Sequence, residues 1–384
     1  MGPLNGLRVL EFAGIGPMPM CAMLLADLGA TVLRLERPGG SDLGVRMPAR
    51  FNVTNRNRHA IAIDLRKPEG VALALGLVAR AQALIEGFRP GTMERMGLGP
   101  EPCLARNPGL VYGRLSGWGR QGPLAGAAGH DLNYIALSGA RDAIGRRGQP
   151  PTPPLNLVGD YGGGALHLAL GLVSAMLHVA RGGEGQVVDA SILGGATSLM
   201  TFLYGLRAAG VVSGPRGTNI IDSGAPFYDV YACADGAYVS VAAIEKKFRR
   251  ELFSRIGIAP EWVERSDHKE NWEELRGLLE RIFRSKPRDA WCALLEGTDA
   301  CFAPVLSMAE APAHPQNQAC ASFITLSGVV QPGPALHFGR TMAAMPNPPD
   351  EAAGVNAEAL LADWGFTTAE IARYRESGAV AGPG

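Results

Sequence analysis

Cysteine pairing is missing from this sequence: Cys21, Cys103, Cys233, Cys292, Cys301 and Cys320 are scattered with no CxxC spacing. The pattern excludes a zinc ribbon or disulfide framework and points to reduced, mostly buried thiols in a reducing compartment. Net charge is missing too. Lysine and arginine together number 36, as do aspartate and glutamate, so no overall field attracts nucleic acid and an anionic ligand must be met by local arginines. Long apolar runs are absent: no segment approaches the ~20 uninterrupted apolar residues that span a bilayer. The opening MGPLNGLRVL lacks the basic and apolar regions of a secretory signal, and the closing AVAGPG is no peroxisomal address. We expect a cytoplasmic protein with no membrane span and no nucleic-acid partner.

What is present fills 384 residues, enough for one large or two ordinary domains with well-buried cores. The first half alternates short β-branched runs (LRVLEFAG, TVLRLERP, HAIAIDL, ALIEGF) with longer helical patterns, the rhythm of a parallel sheet covered by helices. GLVYGRLSGWG adds a strand, and a Gly-opened helix, GGGALHLALGLVSAMLHVARG, leads into GQVVDAS. A Gly/Pro-rich stretch, GVVSGPRGTNIIDSGAP, then reads as a linker. Beyond it, FYDVYACADGAYVSVAAI is a hairpin turning at Asp235-Gly236, followed by two helical segments. We place a large α/β domain at 1–224, with 331–384 returning to it, and a smaller α+β domain at 225–330.

Few residues carry chemistry. The turn EFAGIGPMPM, with Glu36 ending the next strand, is a partial dinucleotide fingerprint. Pro17 removes a backbone donor and no third glycine follows, which argues against nicotinamide. Arg37, Arg66 and Arg95 stand near the ends of strands or turns, where guanidinium forks can hold phosphates or simply be solvated. His130 is one of seven histidines, a residue type suited to proton transfer though more often structural. Small residues before it leave room for a bulky ligand, and Asp131 either holds its tautomer or caps the next helix. Asp160 reads as a helix N-cap or a reacting carboxylate. Gly162, Gly163 and Gly164 weaken the helix by ~1 kcal/mol each relative to alanine, which suits something lying against that backbone. A ligand oxygen there would meet free N–H groups and the positive end of the helix dipole. Glu245 begins a helix, a favourable place for any acid.

Read together, PLNGLRVLEFAGIGPMPMCAMLLADLGATVLRLERP, ALIEGFRPGTMERMGLGP, GHDLNYIALSG, PPLNLVGDYGGG, GAPFYDVYACADG and VAAIEKKF resemble the family III CoA-transferase superfamily, and within it the α-methylacyl-CoA racemases. The similarity covers nearly the whole chain. It implies a large Rossmann-like parallel-sheet domain plus a smaller α+β domain, in an interlocked homodimer whose sites each draw on the partner's small domain. It implies that His130 and Asp160 exchange protons on opposite faces of the α-carbon of a 2-methylacyl-CoA, through an enolate, with Glu245 supporting His130. CoA binding would fall to Arg37, to Ile63, Asp64, Leu65 and Arg66, to Glu86, Gly87 and Phe88, to Arg95, and to Gly129, Asp131, Asn133 and Tyr134. No metal or separate cofactor is implied, CoA being part of the substrate. A transferase of the same superfamily would use Asp160 as a nucleophile; it needs no second proton carrier, so the histidine of GHD favours the racemase. Ser223 departs from the glycine expected before GAPFY, and methionines for the acyl site are few, Met200 among them; both bear on acyl specificity.

Overall fold

Strands form here where aliphatic and β-branched residues run without interruption, because both faces of a helix-covered parallel sheet are buried. The computed structural model describes residues 2–40, 44–341 and 344–381; the last three residues of AVAGPG lie outside them. β1 (Arg8–Phe12), β2 (Thr31–Glu36), β3 (Arg58–Ala62), β4 (Ala83–Glu86), β5 (Val111–Ser116) and β6 (Gln186–Ser191) form one sheet in the order β3-β2-β1-β4-β5-β6. Every neighbouring pair is parallel. The sheet is parallel as expected, and the reversal of strand order beside β1 opens a crevice at the carboxyl ends of β1 and β4. Successive residues serve opposite cores: Val9 joins Leu25, Leu168 and Leu172, whereas Leu10 joins Leu77, Leu361 and Trp364.

Among the described residues, the helical run Leu157–Ala180 is long and apolar enough to cross a membrane by length and composition alone, although Asp160, His167 and His178 interrupt its apolar sequence. Within its 24 residues an 18-residue window reaches a mean hydropathy of 1.6. Here the run covers the sheet: Leu168, Leu172, Ala175 and Met176 are buried, while Leu166, Leu170 and Leu177 are half or more exposed. Its first ten residues, Leu157–Leu166, form a π-helix, with the Tyr161 N–H donating to the Asn156 carbonyl five residues back at 3.2 Å. Such wide turns are rare and concentrate at functional sites. The helix Ile192–Leu199 packs directly on this turn. A Cβ at Gly195 would lie 1.8 Å from the Gly163 carbonyl oxygen, and one at Gly163 would lie 2.6 Å from the Ala196 nitrogen.

The chain divides into two compact units: Met1–Ser138 with Leu155–Leu199 and Gln318–Gly384, and Gly139–Pro154 with Met200–Asn317. In the second, antiparallel β7 (Tyr228–Ala232), β8 (Tyr238–Ala242) and β9 (Phe302–Val305) form a sheet in that order. It packs with the helices Lys246–Ile256 and Trp272–Phe283 around Phe253, Leu279 and Trp291. The Asp235-Gly236 turn forms as expected, Gly236 taking φ 79°. β9 was not legible because Pro304 sits within it, which only an edge strand tolerates.

Both expected boundaries move. The stretch taken for a linker is folded into the second unit. Asp222 accepts the N–H groups of Gly217 and Asn219 at 2.9 and 2.7 Å, and Arg276 donates to the Ser223 and Gly224 carbonyls, both at 2.8 Å. Ser223 sits at φ 72°, a left-handed conformation that costs ~1 kcal/mol for a residue other than glycine. Arg146 and Arg276 both pair with the buried Asp229, which binds segment 139–154 into the same unit. At the other end, the hairpin of β10 (Phe323–Leu326) and β11 (Val329–Pro332) belongs to the first unit, since Arg56 of that unit donates to Gln331 and to the Pro332 carbonyl.

Candidate active site

The loops after β1 to β5 carry the site. After β5 the chain reaches the helix Asp131–Leu137, with His130 in extended backbone as its N-cap residue. The His130 carbonyl accepts from the Asn133 and Tyr134 N–H groups at 2.8 and 3.2 Å, and Asn133 Oδ1 accepts the His130 N–H at 3.1 Å. The imidazole is left exposed. Asp131 therefore does not cap the helix. It is buried, and its Oδ2 accepts the Asp160 N–H at 2.6 Å. Gly159 permits this approach, since a Cβ there would lie 2.4 Å from that oxygen.

Asp160 is not an N-cap either; it is the fourth residue of the π-helix. Burial, and next the charge of Asp131, push its carboxyl up to about 6, against the opposing effects of an Asn156 hydrogen bond and the charge of His130. Gly16, at φ 64° in the turn after β1, gives the carboxylate space: a Cβ would come within 3.1 Å of Oδ2. An imidazole and a carboxyl held at about 6 thus lie within electrostatic reach of one another.

The reading of the small residues is corrected in two places. Gly163 and Gly164 meet protein rather than a ligand: Gly163 packs on Ile192–Leu199, and a Cβ at Gly164 would lie 3.1 Å from Pro17. From Gly162 onward the N–H groups lie beyond the first turn, committed to the helix itself, so they cannot serve a ligand oxygen. Gly129 accommodates the site's own aromatic pair, a Cβ there lying 2.8 Å from Tyr134 and 2.9 Å from Trp118. Those rings meet edge to face at 4.7 Å, and the Tyr134 hydroxyl donates to the Gly129 carbonyl.

The other candidates fall where the sheet order predicts. Arg37 follows β2; Ile63, Asp64, Leu65 and Arg66 follow β3; Glu86 ends β4, with Gly87 and Phe88 after it. Arg95 closes the short helix Thr92–Arg95. Arg66 is 86% exposed in its side chain yet spans both oxygens of Asp64, at 2.8 and 2.9 Å. Arg95 donates to Thr92 Oγ1 at 3.0 Å, and Arg37 donates to the Gly40 carbonyl. Gly87 is required by Met18, whose Cγ would lie 2.5 Å from an added Cβ. Glu245 is exposed in the second unit and immediately precedes Lys246–Ile256, whose N-terminus its side chain does not cap. Gly16, Trp118 and Asn156 were missed. Only Gly16 carried a signal, as part of an unexplained glycine turn.

Comparison with known proteins identifies the family. The model of CoA-transferase family III matches residues 4–354. The chain is 41% identical to a mouse (Mus musculus) protein named alpha-methylacyl-CoA racemase, over 96% of this chain and 95% of that one. The human (Homo sapiens) protein of the same name is 39% identical, with the same coverage. A solved CAIB/BAIF family protein from Brucella suis superposes with a TM-score of 0.81 at 27% identity, covering 94% of this chain and 99% of that one. The matching sequence over nearly its whole length, the parallel sheet and the loops at its carboxyl edge place this chain in CoA-transferase family III.

Proposed function

We propose that this enzyme inverts the α-carbon of 2-methylacyl-CoA thioesters, His130 and Asp160 exchanging protons on opposite faces through an enolate. The observation that carries this reading is the pair itself. An exposed imidazole lies within electrostatic reach of a carboxyl that burial has brought to about 6, where a group both takes and returns protons efficiently. The proton beside a thioester carbonyl is far less acidic than either group, so positioned bases and stabilisation of the enolate oxygen are both required. The CoA phosphates suit the strand-end arginines Arg37, Arg66 and Arg95. The names of the mouse and human relatives support the same reaction. The alternative within the family, acyl transfer through an anhydride at Asp160, leaves the α-carbon untouched. In deuterated water, turnover of a 2-methylacyl-CoA is expected to place deuterium at C2; mass spectrometry finding product without it would establish the transferase instead.

A second copy of the chain completes the site in this proposal, Glu245 of that copy supporting His130. The exposed Leu166, Leu170 and Leu177 on one helix support a covered face of this kind. Light scattering at assay concentration is expected to give a dimer, with Leu170→Glu weakening it and lowering activity in parallel; a fully active monomer would refute the arrangement.

A further inference from the structure

Arg120 belongs to none of the groups considered so far, although it lies on the loop between β5 and His130. Its side chain is 14% exposed, with Nη2 2.8 Å from Glu94 Oε1 and Nη1 3.9 Å from Glu86 Oε1. Glu86 is 2% exposed at the end of β4, and its other oxygen accepts the Phe88 N–H at 2.8 Å. Glu94 lies in Thr92–Arg95, next to Arg95. One guanidinium therefore joins three pieces: the Glu86–Phe88 turn, the short helix bearing Arg95, and the loop leading to His130.

We propose that Arg120 is a positioning residue for the thioester's CoA portion, holding the Glu86–Phe88 turn and Arg95 in register through paired contacts with Glu86 and Glu94. The proposal rests on the assignment of those segments to CoA. A carboxylate as buried as Glu86 needs a compensating charge. Four ionisable groups bear on it: Arg120 and Arg114 favour its charged form, Glu94 opposes it, and Tyr112 lies within its field. Arg114 donates to Asp189 Oδ2 at 3.0 and 2.9 Å and lies 3.8 Å from Glu94, whereas Arg120 reaches both Glu94 and Glu86. Burial raises the Glu86 carboxyl to about 7, so removing Arg120 drives it toward the neutral acid, which holds the Phe88 N–H less firmly.

The test is calorimetric titration of the full-length protein with free CoA, alongside steady-state kinetics with a 2-methylacyl-CoA. Arg120→Ala is expected to raise the Kd for CoA and the KM about 10-fold while kcat stays within about 3-fold of wild type, the split expected when a binding geometry is loosened. Arg120→Lys should recover most of the loss. In wild type CoA binding should weaken as pH falls through about 7, and the midpoint should lie higher in Arg120→Ala. Titration of the CoA phosphates is common to both proteins and cancels in the comparison. Unchanged CoA affinity in Arg120→Ala, or a fall in kcat alone, would overturn the proposal. If Arg120→Ala does not fold, Arg120→Gln decides on the same measurements. Because free CoA binding does not depend on which reaction follows, a transferase outcome in the deuterium experiment leaves this test intact, whereas a wild type that fails to bind CoA sinks both.

Discussion

Replacing His130 by alanine, or Asp160 by asparagine, is expected to abolish inversion, slowing it by about 10²–10⁴-fold or more, as loss of a general acid or base does. Exchange should survive selectively. Each variant keeps one base, so each still exchanges the α-proton of the single epimer whose face meets that base, without converting it into the other. The pH profile of one variant reports on Asp160. In His130→Ala the remaining base is Asp160, which burial and Asp131 hold at about 6. Its raised value means that the reactive carboxylate is present above that pH and is lost as pH falls through it. Exchange in this variant should therefore decline about tenfold per pH unit below 6. Proton exchange followed by NMR in deuterated buffer from pH 5 to 8 reads both effects. Wild-type racemisation by either variant, or exchange of both epimers by His130→Ala, would overturn the two-base assignment.

Gly195→Ala is expected to destabilise the first unit by ~3 kcal/mol or more, the scale of overpacking at a rigid contact. The new methyl would meet only main chain, lying 1.8 Å from the Gly163 oxygen, 2.6 Å from its carbonyl carbon and 2.8 Å from its Cα. No rotamer relieves that, so the helix Ile192–Leu199 must move off the π-helix that carries Asp160. Gly205→Ala is the control: in the helix Thr201–Ala208 an added Cβ meets nothing within 4 Å, and alanine should be neutral or stabilising by up to ~1 kcal/mol. Urea unfolding compares the two. Equal midpoints for Gly195→Ala and Gly205→Ala would show that the two helices do not depend on this contact, and the activity of Gly195→Ala should fall with its stability.

Local pattern was enough for much of this molecule. The alternation of apolar runs in the first half required a covered parallel sheet, because residues as apolar as Val9, Leu10, Leu33 and Ile85 need burial on both faces of their strands. Asp235-Gly236 fixed its hairpin by turn chemistry alone. Resemblance to the family's motifs singled out His130 and Asp160 as candidates, and position at strand ends did so for Arg37, Arg66 and Arg95. What it left undecided was which polar group answers which. Whether Asp131 caps a helix or holds the Asp160 N–H depends on the approach of two segments 29 residues apart. Whether glycines admit a ligand or another helix depends on what lies 2–3 Å beyond their missing Cβ. The linker reading failed for the same reason: glycine and proline at 211–226 specify turns, and the long-range contacts of Arg216 and Arg276 decide whether those turns are loose or fixed. The sequence by itself determined the parallel sheet and its apolar cores, since composition and short-range geometry govern these. Only the tertiary structure decided the proton affinity of Asp160, the role of Asp131 and the engagement of Arg120, because each is set by burial and by charges brought close from distant parts of the chain.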